Sequence, residues 1–171
     1  MAKVSNEKKN LNRLAGEFLV ASRLTQRGFM VTLQWGTAIG YDILAFDKNG
    51  TVAFIEVKSS ASYERSWILQ KKYAHPKDDA ISVKRRFVCC VDLTVSDVAA
   101  NVYVFPADIV AKGLHYFYND RFSKSDSYTL RLDKRPIGKT KDLSIQTVGD
   151  HIDAQRYLEA YTALGLEPVA R

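Results

Sequence analysis

Three charged residues stand where β-strands should be apolar. Asp42 lies in Gly-Tyr-Asp-Ile-Leu-Ala-Phe (40–46), and Glu56 and Lys58 close Thr-Val-Ala-Phe-Ile-Glu-Val-Lys (51–58). Side chains alternate along a strand, so Val52, Phe54, Glu56 and Lys58 share one face and Ala53, Ile55 and Val57 the other. Both faces are apolar until one switches abruptly to a carboxylate and an ammonium. Lys48-Asn49-Gly50, between the two segments, is a hairpin signal. If those three residues are the loop, Asp47 pairs with Thr51 and Asp42 falls opposite Glu56, within about 5.5 Å between Cβ atoms. Carboxylates that close repel unless positive charge lies between them, and a divalent cation is the natural occupant. A two-residue loop would set them on opposite faces and remove the argument. The competing reading is a structural Glu56–Lys58 ion pair beside a solvated Asp42.

The elements that must position these groups follow from periodicity. Residues 7–27 read as a helix, with Leu11, Leu14, Ala15, Phe18 and Ser22 on one face and Gly28 as the stop. Glu17 has only apolar helical neighbours (Leu14, Val20, Ala21 and Leu24), so it is partly buried and needs a partner. Arg13, one turn earlier, can be that partner, which leaves Glu17 structural or functional on equal terms. Strands are expected at 29–33, 41–47, 51–58, 87–93 and 101–105, with an edge strand at 127–132. Asp78-Asp79 can start a short helix ending near Arg86, and Pro106 opens a helix through Phe117. Residues 133–148 read as loop. Asp150 is read as the cap of a final helix to Gly165, with Ala154, Tyr157, Leu158, Tyr161 and Leu164 as its stripe. The pattern is a single α/β domain spanning residues 1–171, with a mixed sheet.

Composition narrows the function classes. Hydrophobic residues make up 46% and charged residues 26% of the 171, an ordinary globular balance. No apolar run approaches the roughly 18 residues of a membrane span, and the N-terminal residues lack a signal-peptide pattern, so no membrane role and a cytoplasmic location are expected. Cys89 and Cys90 are adjacent, point to opposite faces of a strand and read as reduced core thiols. No other cysteine exists to form a zinc set, and only His75, His115 and His151 could help.

The net charge is +6, which permits nucleic-acid binding without requiring it. Seven basic residues (Arg65, Lys71, Lys72, Lys77, Lys84, Arg85 and Arg86) against Asp78 and Asp79 give residues 65–86 a local +5. Coming directly after the charged strand, that segment suits a phosphate backbone. His75 is a candidate base or phosphate contact, although a loop histidine is more often solvated. Trp35 is read as capping the core at the mouth of the sheet, with stacking on a base as its other role.

Glu17 in Leu-Ala-Gly-Glu-Phe, Asp42 in Gly-Tyr-Asp and the Ile-Glu-Val-Lys of 55–58 together resemble the PD-(D/E)XK nuclease superfamily. The layout is similar to Holliday junction resolvase-type small nucleases. The resemblance covers about residues 7–95, and Tyr41 stands where the superfamily's proline usually precedes the Asp. It implies a restriction-endonuclease-like fold, a three-layer α/β sandwich with a central mixed sheet flanked by helices. It further implies Mg²⁺-dependent phosphodiester cleavage of nucleic acid, DNA above all, with Mn²⁺ as a substitute. Asp42, Glu56 and the Val57 main-chain carbonyl would be metal ligands. Lys58 would orient the attacking water, and Glu17 would serve a second metal or a metal-bound water. A homodimer is a further implication. Two other classes compete: a catalytically inactive nucleic-acid-binding or accessory protein that keeps the fold, and an interaction module using Tyr-Phe-Tyr-Asn-Asp (116–120).

Overall fold

The computed structural model describes residues 5–35, 40–61, 65–73, 85–94, 100–118, 126–132 and 147–169. Helix α1 (Asn6–Gln26) opens at Ser5, whose hydroxyl accepts from the Lys8 N–H, satisfying one of the donors a helix start leaves orphaned. Strands β1 (Met30–Leu33), β2 (Ile43–Phe46), β3 (Val52–Ser60), β4 (Ser66–Gln70), β5 (Arg86–Asp92) and β6 (Asn101–Pro106) follow. After them come α2 (Ala107–Tyr118), β7 (Ser127–Arg131) and α3 (Val148–His151). The main sheet runs β1-β2-β3-β5-β6, antiparallel except for the central β3/β5 pair, and β4 and β7 form a separate antiparallel pair.

Helix and sheet bury their apolar sides against one another in three layers. Val20 and Leu24 of α1, with Tyr161 and Leu164, cover Ala53, Ile55 and Val57 of β3. On the opposite face, Val110 and Leu114 of α2, Trp67 and Leu69 of β4 and Leu130 of β7 cover Val88, Cys90, Tyr103 and Phe105. Both cysteines are buried and free. The fold is the α/β sandwich with a mixed sheet that the pattern implied. No described helix is long and apolar enough to cross a membrane.

Several element assignments change. Leu11, Ala15, Phe18 and Ser22 of the expected helix face are exposed and Leu14 is half-buried. The buried face of α1 is Gly16, Glu17, Val20 and Leu24. The reason is the close approach of α1 to β3: a Cβ on Gly16 would lie 3.1 Å from Ser59 Cβ and 3.5 Å from Val57 Cγ1, so the side lacking a side chain seats the helix. The basic stretch hides β4, whose Trp67 and Leu69 are buried while Ser66, Ile68 and Gln70 are not. The helix expected to end near Arg86 falls mostly outside the described residues, and Arg86 itself opens β5.

The C-terminal helix does not form as one element. Thr147 rather than Asp150 is its cap, and the two make a reciprocal capping box, so the expected loop ends before Val148. Asp153 and Glu159 then take left-handed backbone at φ +51° each. These break the stripe into α3 and two single turns, Ala154–Tyr157 and Tyr161–Leu164. Leu158 bridges to Tyr103 instead of lying on a helix.

Candidate metal and nucleic-acid site

The site begins with the hairpin. The Asp47 N–H donates to the Thr51 carbonyl at 3.0 Å, Gly50 takes φ +76°, and Asp47 Oδ1 accepts from both the Asn49 and the Thr51 N–H at 2.8 Å. The loop therefore has three residues, which sets the register at Phe46↔Val52 through Ile43↔Ile55. The ladder ends at that pair, and Asp42, one residue beyond it, lies in the field of the Glu56 carboxylate. Asp47 and Thr51 exchange a main-chain bond, so by alternation Ala53, Ile55 and Val57 turn their N–H and C=O groups toward β2. Yet β2 stops at Ile43. Asp42 fills the gap, its N–H donating to the Ile55 carbonyl at 2.8 Å and its carboxylate accepting from the Val57 N–H at 2.7 Å. The Asp42 carbonyl in turn accepts from the Gln34 N–H beyond β1 at 2.8 Å.

Glu17 reaches the same end of the sheet from α1. It is 4% exposed and pairs with Arg13 at 2.7 Å. Burial, then the Asp42 charge, push its carboxyl above the ordinary range, against the pull of Arg13 and Lys58. Burial also pushes Asp42 up, opposed by the Val57 N–H and reinforced by the Glu56 charge. Burial works on Glu56 too, but Lys58, hydrogen-bonded to it, overcomes that effect and holds Glu56 below the usual value. Glu17, Asp42, Glu56 and Lys58 thus lie in one another's field, with the proton affinities of two acids raised and of one lowered.

Tyr73, which follows β4 in a single helical turn, was not a candidate in the sequence. Its ring centroid lies 5.9 Å from Lys58 Nζ and 5.2 Å from Lys72 Nζ. Its buried hydroxyl lies beside Glu56, which it helps keep charged, though without full hydrogen-bond geometry. The only sequence signal was an aromatic following two lysines. A Cβ on Gly40 would lie 3.8 Å from Lys72 Nζ and 3.9 Å from an Arg86 guanidinium nitrogen, so two cations converge two residues before Asp42.

Among the described residues, no three His, Cys, Asp or Glu side chains close a metal cage. The donor set is an open one: two mutually repelling carboxylates, and a Val57 carbonyl that strand alternation turns toward the same gap. Such a set suits a hard cation that keeps much of its water, and suits zinc poorly.

A family model described as Protein NO VEIN, C-terminal, matches residues 18–73. That minority of the chain contains Asp42, Glu56 and Lys58 and begins immediately after Glu17. No curated protein matches the chain in sequence. Among solved structures, a bacterial homing endonuclease aligns over 95% of this chain and 94% of its own, at TM-score 0.52 and 17% identity. The fold is restriction-endonuclease-like. A Holliday junction resolvase from Archaeoglobus fulgidus aligns over 82% of this chain and 95% of its own, at TM-score 0.44 and 14% identity. A fusselovirus nuclease aligns over 91% and 95%, at 0.43 and 13%.

The restriction-endonuclease-like fold gathers only some of the basic candidates. Lys72 and Arg86 reach the mouth of the acidic site. Lys71 is exposed, its N–H donating to the Asp126 carbonyl, and Arg85 gives its carbonyl to the Phe54 N–H. Arg65 instead turns to the Tyr103 hydroxyl at 3.3 Å and lines a cavity of about 230 Å³ with Asp150 and Asp153. Lys77, Lys84 and His75 lie outside the described residues. Trp35 does not cap the core: it is 69% exposed, with Phe18 as its ring neighbour at 6.1 Å.

Proposed function

We propose that this protein is a metal-dependent phosphodiesterase, an endonuclease acting on nucleic acid and on DNA in particular. Mg²⁺ is the proposed cation, with Mn²⁺ able to replace it. One observation carries the reading: a half-buried Asp42 whose carboxylate is held on the Val57 N–H, in the field of Glu56, at the open end of a strand pair. Two repelling acids there would weaken the fold unless a positive ligand uses them.

Asp42, Glu56 and the Val57 carbonyl would hold the cation. Bound there, it would neutralise phosphate charge and lower the pKa of the attacking water. The chain's own residues supply the rest. Lys58, paired with Glu56, would face the scissile phosphate and orient the nucleophile. Glu17, with its raised proton affinity, holds a proton or water beside Asp42. Lys72 and Arg86, flanked by Lys71 and Arg85, grip the phosphate backbone with little sequence preference. Cutting both strands of a duplex would bring two copies together as a homodimer.

The test is calorimetric titration of Mg²⁺ and Mn²⁺ into wild type and into the Asp42→Ala, Glu56→Ala double variant, followed by incubation with plasmid and branched DNA. Metal uptake lost in the variant, with cutting by wild type alone, is the expected result. Equal metal behaviour in both would overturn it. DNA retained without metal and never cut would leave a binding protein that keeps the fold.

A further inference from the structure

Phe18 and Trp35 are aromatic side chains that the core does not use. They are 49% and 69% exposed, their rings 6.1 Å apart at 57°, and Leu11, two turns before Phe18 on α1, is 62% exposed. Apolar surface left open in this way marks a contact surface. Its position narrows the occupant. Phe18 directly follows Glu17 on α1, and Trp35 directly follows Gln34, whose N–H is bonded to the Asp42 carbonyl. The two elements that carry the rings therefore also deliver or brace two of the acids. β1 is the edge strand of the main sheet, so the rings stand at an open rim. On the other side of the sheet, Lys72 and Arg86 converge at Gly40. The acids lie between an aromatic surface and a cationic one.

We infer that Phe18 and Trp35 are a stacking platform for an unpaired nucleobase, and that the nucleic acid entering this site has unpaired bases, as a single strand or a splayed branch does. The inference rests on the nuclease reading above and deepens it by naming the substrate class. A nucleotide is a ligand that brings a π-face and a negative charge together. Bases inside a duplex are already stacked and cannot offer a face, whereas an extruded or unpaired base can.

The chain contains two tryptophans, which makes the test direct. Trp67 is 2% exposed, with its indole N–H bonded to the Val91 carbonyl at 3.0 Å, so solvent-facing emission belongs to Trp35. Metal-free protein with a chelator present, so that nothing is cut, is titrated with a single-stranded oligonucleotide and with the blunt duplex of the same sequence. The single strand should quench the emission and the duplex should not. Trp35→Ala should weaken single-strand binding by roughly five- to a hundredfold, on the scale of one stacked base, and leave duplex binding alone. Unchanged emission from Trp67 reports that the variant is folded. Equal quenching by both nucleic acids, or a Trp35→Ala variant with unaltered affinity, overturns the inference. So does a shift from dimer to monomer on Trp35→Ala in sedimentation, which would make the patch a self-association face. Quenching without cleavage in Mg²⁺ keeps the platform and removes the nuclease reading, and cleavage without quenching does the reverse.

Discussion

The Asp42 carboxylate is bonded to the Val57 N–H at 2.7 Å, so it belongs mechanically to the strand that carries Glu56 and Lys58 rather than to its own. The bond completes the sheet beyond the end of β2, where a strand donor would otherwise lack a partner. It also holds a charge in a place where burial and the Glu56 charge resist one.

Asp42→Asn separates those two roles. The amide oxygen can still accept from Val57, while the charge is gone. Tm at neutral pH should hold or rise, by about 2–4 °C for each 1 kcal/mol of repulsion relieved. DNA cleavage should fall by roughly a hundredfold or more, as for other lost transition-state contacts. A thermal scan and a plasmid-nicking assay on one preparation check both. A variant that loses stability and keeps activity would contradict the assignment.

The raised acids set a sign for the pH dependence of metal-free stability. Glu17 and Asp42 bind protons more tightly folded than unfolded, from references of 4.5 and 3.8. Their contribution is therefore greatest at low pH and is lost as pH rises through their raised values. Glu56 has the opposite sign: its contribution is present above 4.5 and is lost as pH falls through its lowered value. Relative to a Glu17→Gln, Asp42→Asn variant, wild type should be less stable at about pH 7.5 than at about pH 5. Excess Mg²⁺ should shrink that difference by competing with the protons. Chemical denaturation at both pH values measures it.

Arg13 and Glu17 form a pair with one exposed and one buried member. Arg13→Ala leaves a buried carboxylate without its partner and should cost about 1–2 kcal/mol. Glu17→Gln should cost less, and the double variant less than the sum of the two, which a urea double-mutant cycle reads directly. Additive losses would mean that the pair is not coupled.

Gly16 controls how closely α1 approaches β3. A Cβ there falls within 3.1 Å of Ser59 Cβ and collides with its hydroxyl, so Gly16→Ala should destabilise by about 1–3 kcal/mol as an overpacked contact. It should also weaken metal binding by displacing Glu17. The Ser59 hydroxyl is buried without a hydrogen-bond partner, so Ser59→Ala should be neutral or stabilising alone and should recover part of the Gly16→Ala loss. Full Gly16→Ala stability in a urea melt would show that the helix is not seated by this contact.

The charged constellation was legible because it rests on rules with short range. Three residues between Asp47 and Thr51, with a glycine able to take positive φ, set the strand parity as far as Ile43 opposite Ile55, and so put Asp42 at the end of the ladder in the field of Glu56 and Lys58. The sheet strands and α2 were legible from alternation and apolar runs. The buried side of α1 was not. Two stripes compete on that helix, and the more hydrophobic one, through Leu11 and Phe18, is the one left outside. What decides is contact with β3, where the absence of a side chain at Gly16 outweighs a few apolar residues on the other face. β4 was hidden because charge density in the segment masked the alternation of Trp67 and Leu69, and the C-terminal stripe broke where Asp153 and Glu159 entered left-handed backbone.

The sequence by itself determined which acids and which lysine share the end of the hairpin, because local turn geometry and strand alternation require no distant partner. Only the tertiary structure decided that Glu17 meets them, that Tyr73, Lys72 and Arg86 surround them, that Arg65 turns elsewhere and that Trp35 faces solvent. Those placements depend on how layers far apart in the chain pack against one sheet, and no local spacing encodes that.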